Sequence, residues 1–229
     1  MVHTGRITEA AQVFASVPAF VGCDAATLTA ITQAAVQQHY DANQVVFLEG
    51  DPSAGLYIVQ HGWLKAIKLA ANGREQTLRL VGPHEVFQEL SVLMQSSNPA
   101  TVVALEPATV WLIPRNSLLQ LLDSHPQLAR IIIQNLAERV LHLLALVEDL
   151  SLRSVEARLA RLLLTQATNN MVQRRRWSTQ AELAAQLGTV PDVLNRALRS
   201  LVEGGLIQVE RHQIRILDRA RLEHMSTPA

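Results

Sequence analysis

Apolar positions along the chain change their period three times. Residues 7–20, "ITEAAQVFASVPAF", and 24–36, "DAATLTAITQAAV", repeat at helical spacing, and Asp24 is placed to cap the second segment. Residues 38–82 then break into short apolar runs. Gly50-Asp51-Pro52, His61-Gly62, Asn72-Gly73 and Gly82-Pro83 punctuate them. Asn72-Gly73 lies between "WLKAIKLAA" and "REQTLRLV", and both residues tolerate positive φ, so a hairpin is predicted there. Two more strands, "ATVVALE" and "ATVWLIP", follow a polar segment. Seven or eight short strands at this spacing predict a sandwich or jelly roll.

The helical period returns from Ser124. "HPQLARIIIQNLAERVLHLLALVEDL" runs without a breaker after its early proline. Ala129, Ile133, Leu136, Val140, Leu143, Val147 and Leu150 recur at alternating steps of four and three, which is the spacing of a seam for a partner helix. A helix packed on its own domain satisfies the same pattern. "SVEARLARLLLTQA" predicts a further amphipathic helix.

Two short helices then meet at one glycine in "TQAELAAQLGTVPDVLNRALRSL". Thr179-Gln-Ala-Glu182 and Thr189-Val-Pro-Asp192 both read as capping boxes, so helices are predicted near Gln180–Leu187 and Val190–Val202 with Gly188 at the turn. Pro191 falls in a first turn, where its missing N–H costs little. Ala184, Leu187, Val193, Leu194, Leu198 and Leu201 supply packing faces. Asp192, Asn195, Arg196 and Arg199 remain on the other side of the second helix. Arg can grip guanine O6/N7, Asn can pair with adenine and a carboxylate can accept from cytosine N4. "GGLIQVERHQIRILD" predicts two strands turning near Arg211–His212, a wing beside a helix-turn-helix. A helical hairpin with a solvated polar face is the competing reading.

Composition sharpens this. The formal net charge is zero, but residues 1–150 carry 8 Lys+Arg against 13 Asp+Glu, a net of −5. Residues 151–229 carry 12 Arg and no Lys against 7 Asp+Glu, a net of +5. An acidic first part and an arginine-rich second part suggest two domains with the second facing a polyanion, and chance variation of surface charge is the competing reading. Cys23 is the single cysteine, which excludes an intrachain disulfide and any cysteine-held zinc or iron–sulfur site within one chain. No apolar run is long enough to span a bilayer, and "MVHTGRITEAAQVF" lacks the pattern of a secretory leader, so no membrane partner and a cytoplasmic location are expected. No glycine-rich phosphate loop, nucleophile elbow or clustered carboxylates argue for an enzyme. The histidines offer no tight metal-ligand pair, and no metal site is predicted.

The order of sandwich, long helix and winged helix-turn-helix resembles the Crp/Fnr family of bacterial transcription regulators. "GDPSAGLYIVQHGWLKAIK", "VFQELSVL", "PATVVALEPATVWLIPR" and "LGTVPDVLNRALRSLVEGGLI" carry the resemblance over nearly the whole chain. It implies an α+β protein: a cyclic-nucleotide-binding-type β jelly roll at 1–123 that senses an effector, a dimerisation helix at 124–150, and a DNA-binding winged helix-turn-helix at 151–229. It also implies a homodimer on a two-fold-symmetric duplex site, with an effector altering DNA affinity and RNA polymerase as a partner. The helical seam becomes Ile133, Leu136, Val140, Leu143, Val147 and Leu150. The DNA-binding set becomes Thr179, Gln180, Thr189, Asp192, Asn195, Arg196 and Arg199.

The carry-over is uneven. The family's Glu–x–x–Ser/Gly–Arg reading pattern is Asp192, Asn195 and Arg196 here, and Pro191 stands where cyclic-AMP-responsive members carry an arginine. The effector pocket maps to Phe87, Gln88, Glu89, Leu90, Ala100 and Thr101. Gln88 replaces the glycine of the phosphate cassette, and Pro99 and Ala100 replace its arginine and hydroxyl residue. Arg79 could approach from another strand. Cyclic AMP is therefore not expected, nor is the Fnr-type iron–sulfur cluster. "NPATVVALE" looks like Fnr-like and Dnr-like members, some of which sense gases such as NO or CO through haem, which leaves haem open with His61, His84 or His142 as ligands. An apolar or haem-like ligand among Leu56, Ile58, Phe87, Leu90 and the start of the long helix, and a regulator with no effector at all, are also open.

Overall fold

A computed structural model of the chain describes residues 10–227. Residues 7–9 of the first expected helix, and most of the segment read for a leader, lie outside the described residues; residues 10–15 are helical. Helix α1 (Ala25–Ala34) starts where Asp24 accepts a hydrogen bond from the Thr27 N–H at 2.7 Å, as the capping argument requires.

Eight strands follow, in two four-stranded sheets. The first has the order β1 (Val36–Tyr40), β8 (Ala108–Pro114), β3 (Gly55–His61), β6 (Val86–Phe87). The second has the order β2 (Val45–Phe47), β7 (Thr101–Ala104), β4 (Leu64–Leu69), β5 (Glu75–Val81). All registered pairs are antiparallel, which gives the predicted jelly roll. The hairpin at Asn72-Gly73 forms, closed by Ala70 N–H to Arg74 O at 2.9 Å. Only Gly73 takes positive φ (78°) among its turn residues, so a single left-handed residue makes the reversal.

Alternation along β3 sends its side chains to two different cores. Leu56 and Ile58 pack with Phe14, Trp111, Leu118, Leu128 and Ile132 under the helices. Tyr57 and Val59 face the sandwich interior with Phe87, Val102, Val110 and Leu112. Helix α2 (Glu89–Met94) links β6 to the loop before β7, and α3 (Arg115–Ser124) follows β8. The long helical run forms unbroken as α4 (Pro126–Leu152), directly after α3 ends at Ser124 with His125 as its C-cap.

Beyond α4 come α5 (Val155–Gln166), strand β9 (Met171–Gln173), α6 (Gln180–Gln186), α7 (Pro191–Glu203), β10 (Ile207–Val209), β11 (Gln213–Ile216) and α8 (Arg219–Ser226). The wing sheet has the order β10-β11-β9. Its third strand was not legible in the sequence, because three residues are too few to show a period. Leu159, Leu163, Leu187, Leu194, Leu201, Leu206, Ile214, Ile216 and Leu222 form one core joining these helices to the wing.

The chain divides into two compact units. One holds the residues up to Lys68 with Arg79–Leu141, and the other holds Leu69–Leu78 with His142 onward. Among the described residues, no helix is long and apolar enough to cross a membrane.

Candidate DNA interface and sensor site

Thr179 caps α6: its hydroxyl accepts from the Glu182 N–H at 3.2 Å. The helix ends at Leu187, and Gly188 turns the chain at φ +63°. A Cβ on Gly188 would meet only the movable ends of Leu150 (2.6 Å) and Gln76 (2.5 Å), so it is the left-handed backbone that favours glycine there. Arg158 fixes the turn from below, donating from Nη1 to Leu187 O at 2.5 Å.

The second capping box is not formed. The residue before α7 is Val190, which makes no side-chain cap, and Thr189 contributes only its backbone N–H, to Ala184 O at 2.9 Å. Pro191 at the first helical position explains the one-residue shift, since its ring fixes φ for a helix start and needs no cap for its own missing N–H.

Along α7 the packing decides which face is free. Leu194, Ala197 and Leu201 are buried in the core. At 3.6 residues per turn, Asp192, Asn195, Arg196 and Arg199 fall within about 100° of one another and opposite that face. Asp192, Arg196 and Arg199 are exposed and Asn195 is half-buried. Thr179 and Gln180 are exposed at the start of α6, and Thr189 is half-buried in the turn. One helix thus offers an acid, an amide and two guanidinium groups in a row that a major groove can accept.

The sensor-side residues meet at the β6–α2 corner. Gln88 holds φ +77° there, a left-handed conformation that a non-glycine residue rarely adopts. Its Nε2 donates to Ser91 Oγ at 3.0 Å and to Asn98 Oδ1 at 2.5 Å, and Asn98 Nδ2 donates to Leu48 O at 3.1 Å. Those bonds offset a left-handed non-glycine residue, which costs on the order of 1–3 kcal/mol.

Glu89 is 4% exposed, and its carboxylate lies 3.5 Å from Arg139 on α4. Burial pushes its carboxyl above the ordinary range, and Arg139 and Arg79 oppose that shift. Arg79 does come in from β5: it donates to Val86 O at 3.2 Å and pairs with Glu85 at 2.7 Å. Arg139 reaches the same carbonyl at 3.3 Å. Both cations beside the cassette therefore have protein carboxylates as partners. Arg139, missed in the sequence because it lies fifty residues away, is brought here by α4.

Phe87 turns into the sandwich and stacks on Tyr57 at 5.0 Å between centroids, with Phe47 at 5.5 Å from Tyr57. Burial raises the Tyr57 hydroxyl to about 12. Ala100 is buried, and Thr101 at the start of β7 accepts from the Glu49 N–H at 3.0 Å. Leu90 is 46% exposed on the outer side of α2. Of the apolar pocket expected among Leu56, Ile58, Phe87, Leu90 and the start of the long helix, Leu56 and Ile58 do meet Leu128 and Ile132 of α4 in one core, but strand alternation sends Phe87 to the opposite side.

A sandwich with a cassette corner, a long helix and an amphipathic helix-turn-helix with its wing define a two-part regulator: a small-molecule-type sensor module and a DNA-reading module. Residues 37–125 match the cyclic nucleotide-binding domain, and residues 157–225 match the Crp-like helix-turn-helix domain. The probable transcriptional regulator flp of Lacticaseibacillus casei is 32% identical over 185 residues, covering 78% of this chain and 82% of that protein. The cyclic AMP receptor protein of Thermus thermophilus is 29% identical over 190 residues, covering 82% and 86%. FixK2 from Bradyrhizobium japonicum shares the fold with a TM-score of 0.74 at 24% identity, covering 85% of this chain and 98% of that one. The chain belongs to the Crp/Fnr family of transcription regulators. It is an effector-controlled DNA-binding regulator, and that family is not one of enzymes.

The two expected caps separate in a stability experiment. Thr179→Ala removes an N-cap and is expected to cost about 1 kcal/mol in urea unfolding. Thr189→Ala removes none and is expected to stay within about 0.5 kcal/mol of the parent protein.

Proposed function

We propose that the protein works as a homodimer that reads a two-fold-symmetric duplex site with α7, in the cytoplasm, and acts on transcription through RNA polymerase. The observation that carries the reading is the face of α7: Asp192, Asn195, Arg196 and Arg199 stand opposite the buried Leu194, Ala197 and Leu201. Arg196 grips a guanine, Asn195 reads an adjacent base edge, and Asp192 accepts from a cytosine amine. Arg199, a turn further on, holds a phosphate. Thr179, Gln180 and Thr189 flank these contacts.

The dimer seam is supported by what α4 leaves exposed. Ile133, Val140, Leu143, Val147 and Leu150 are between 39% and 66% exposed, a continuous apolar stripe that water disfavours and a second copy would cover. Leu136, the other seam residue, is half-buried against its own domain core and adds less to the contact. We place the domain boundaries at 1–123, 124–150 and 151–229, with the seam helix between sensor and reader.

For the effector, we propose a ligand other than a cyclic nucleotide held by a charged cassette. The Thermus relative is named for cyclic AMP. Here Pro99 has no N–H to give, Ala100 has no hydroxyl, and the Gln88 amide bonds to Ser91 and Asn98. The residues lining the sandwich interior, Phe47, Tyr57 and Phe87, suit an aromatic or apolar molecule. The histidines do not favour haem. His84 Nδ1 lies 2.7 Å from Ser16 Oγ, His142 Nε2 lies 3.1 Å from Leu78 O, and His61 is exposed at the end of β3.

Three outcomes are expected. Arg196→Ala weakens binding to a selected site by roughly 1–3 kcal/mol and relaxes base choice at one symmetric position per half-site; unchanged selection would show that α7 is misaligned. Val140→Glu places like charges across the seam and gives monomers in sedimentation, whereas a parent protein already monomeric at micromolar concentration contradicts the seam. Calorimetry finds no cyclic AMP binding tighter than roughly 100 μM, since each lost charged hydrogen bond costs on the order of 1.5–3 kcal/mol.

A further inference from the structure

The connection between α4 and α5 is two residues long, Arg153 and Ser154. Neither the polar face of α7 nor the apolar stripe on α4 accounts for how the first of them is bonded. We propose that Arg153 is a positioning residue for DNA reading: it locks the DNA-reading helices onto the last turns of α4 and so fixes the distance between the two α7 helices of a dimer. The inference rests on the proposed dimer and its DNA contacts, and adds to them what sets the spacing of the half-sites.

Each nitrogen of the Arg153 guanidinium has its own acceptor. Nη1 donates to Asp149 Oδ1 at 2.7 Å and Nη2 to Glu148 Oε1 at 2.9 Å, both near the end of α4. Nε donates at 2.9 Å to the carbonyl of Ser226, the last residue of α8. The side chain is 8% exposed, so little water competes for these bonds. The last carbonyls of a helix have no partner within it, and a cation there also suits the negative end of the helix dipole. Arg153 therefore closes α8 while gripping α4. Leu222 of α8 is buried in one core with Leu159, Leu163, Leu194 and Leu201. What holds the end of α8 thus holds the body that carries α7. An ammonium group is a point charge and lacks the fixed fork that serves acceptors on two sides at once.

The rest of the connection is built the same way. Arg153 N–H returns to Asp149 O at 3.3 Å, closing α4. Ser154 begins α5 at once, its hydroxyl accepting from the Ala157 N–H at 3.2 Å. Arg161 of α5 adds a second tie, from Nη1 to Asp149 Oδ1 at 2.6 Å. Both residues between the helices are bonded and both carboxylates are engaged, which leaves the connector little freedom to swivel. Val147 and Leu150, 61% and 39% exposed, flank those carboxylates in sequence. The lock is therefore applied where the proposed seam ends. A change of angle at that point is carried to α7 and moves it along the duplex, on which one base pair spans about 3.4 Å.

The test measures binding of the full-length protein and of an Arg153→Gln variant to three duplexes: a selected two-fold site, the same half-sites moved apart by one base pair, and a site with substituted bases at the selected spacing. The variant is expected to lose about tenfold of the preference for the selected spacing, the equivalent of one charged hydrogen bond. Its preference for the selected bases is expected to stay as in the parent. An unchanged spacing preference overturns the proposal even if affinity falls, because a merely structural role weakens binding to all three duplexes alike. Asp149→Asn is expected to act in the same direction, with the double variant falling short of the product of the two single effects; effects that multiply fully show the two residues acting apart and overturn the lock. Arg153→Lys keeps the charge and is expected to recover only part of the spacing preference, and it carries the same comparison should the glutamine variant fail to fold. Full recovery by lysine overturns the claim that the fork is needed. A parent protein indifferent to spacing contradicts the two-fold reading itself, which separates that failure from a failure of the lock.

Discussion

A helix on the surface of a domain can bury only one of its faces, and α7 and α4 show the two consequences. In α7, Leu194, Ala197 and Leu201 take up the buried face, so Asp192, Asn195, Arg196 and Arg199 have nowhere to go but outward. In α4, Leu128 and Ile132 are buried near its start, and the apolar stripe from Ile133 to Leu150 is left over. The first leftover face is polar and suits a groove lined with hydrogen-bonding base edges. The second is apolar and suits another copy of itself. The proposed DNA-reading face and the proposed pairing seam thus follow from the same packing rule applied to two sequences.

The sensor corner is organised differently, around polar groups that cannot reach water. Gln88 sits in a backbone conformation that disfavours any side chain, yet its Nε2 donates to both Ser91 and Asn98, tying α2 to the loop before β7, where Asn98 in turn bonds the Leu48 carbonyl just after β2. Glu89 is buried beside it and balanced by Arg139 and Arg79. The Gln88 amide and the cations beside the cassette thus already have protein partners. At Gly188 the constraint is conformational, a left-handed turn that favours glycine.

Much was legible beforehand because periodicity survives without coordinates. The helix pair at 180–203 could be drawn from Thr179, Gly188 and the leucine spacing, and the jelly roll from its punctuated short runs. The failures are specific. Thr189 has the residue type of a cap, but Pro191 moves the helix start past it. Leu56, Ile58 and Phe87 were all apolar and near one corner in sequence, but alternation along strands sends them to different cores. Strand β9 was too short to show a period.

The sequence by itself determined the longer elements and which of their faces are polar, because those depend on neighbours within a few residues; the three-residue β9 and the exact start of α7 escaped it. Only the tertiary structure decided which distant groups meet. Arg139 comes to Glu89 along α4, Arg79 comes to Glu85 across the β5–β6 turn, and Arg174 comes to His212 through a strand pairing. No local pattern encodes such meetings, since they arise when the buried faces of separate elements are forced into one core and carry their polar residues with them.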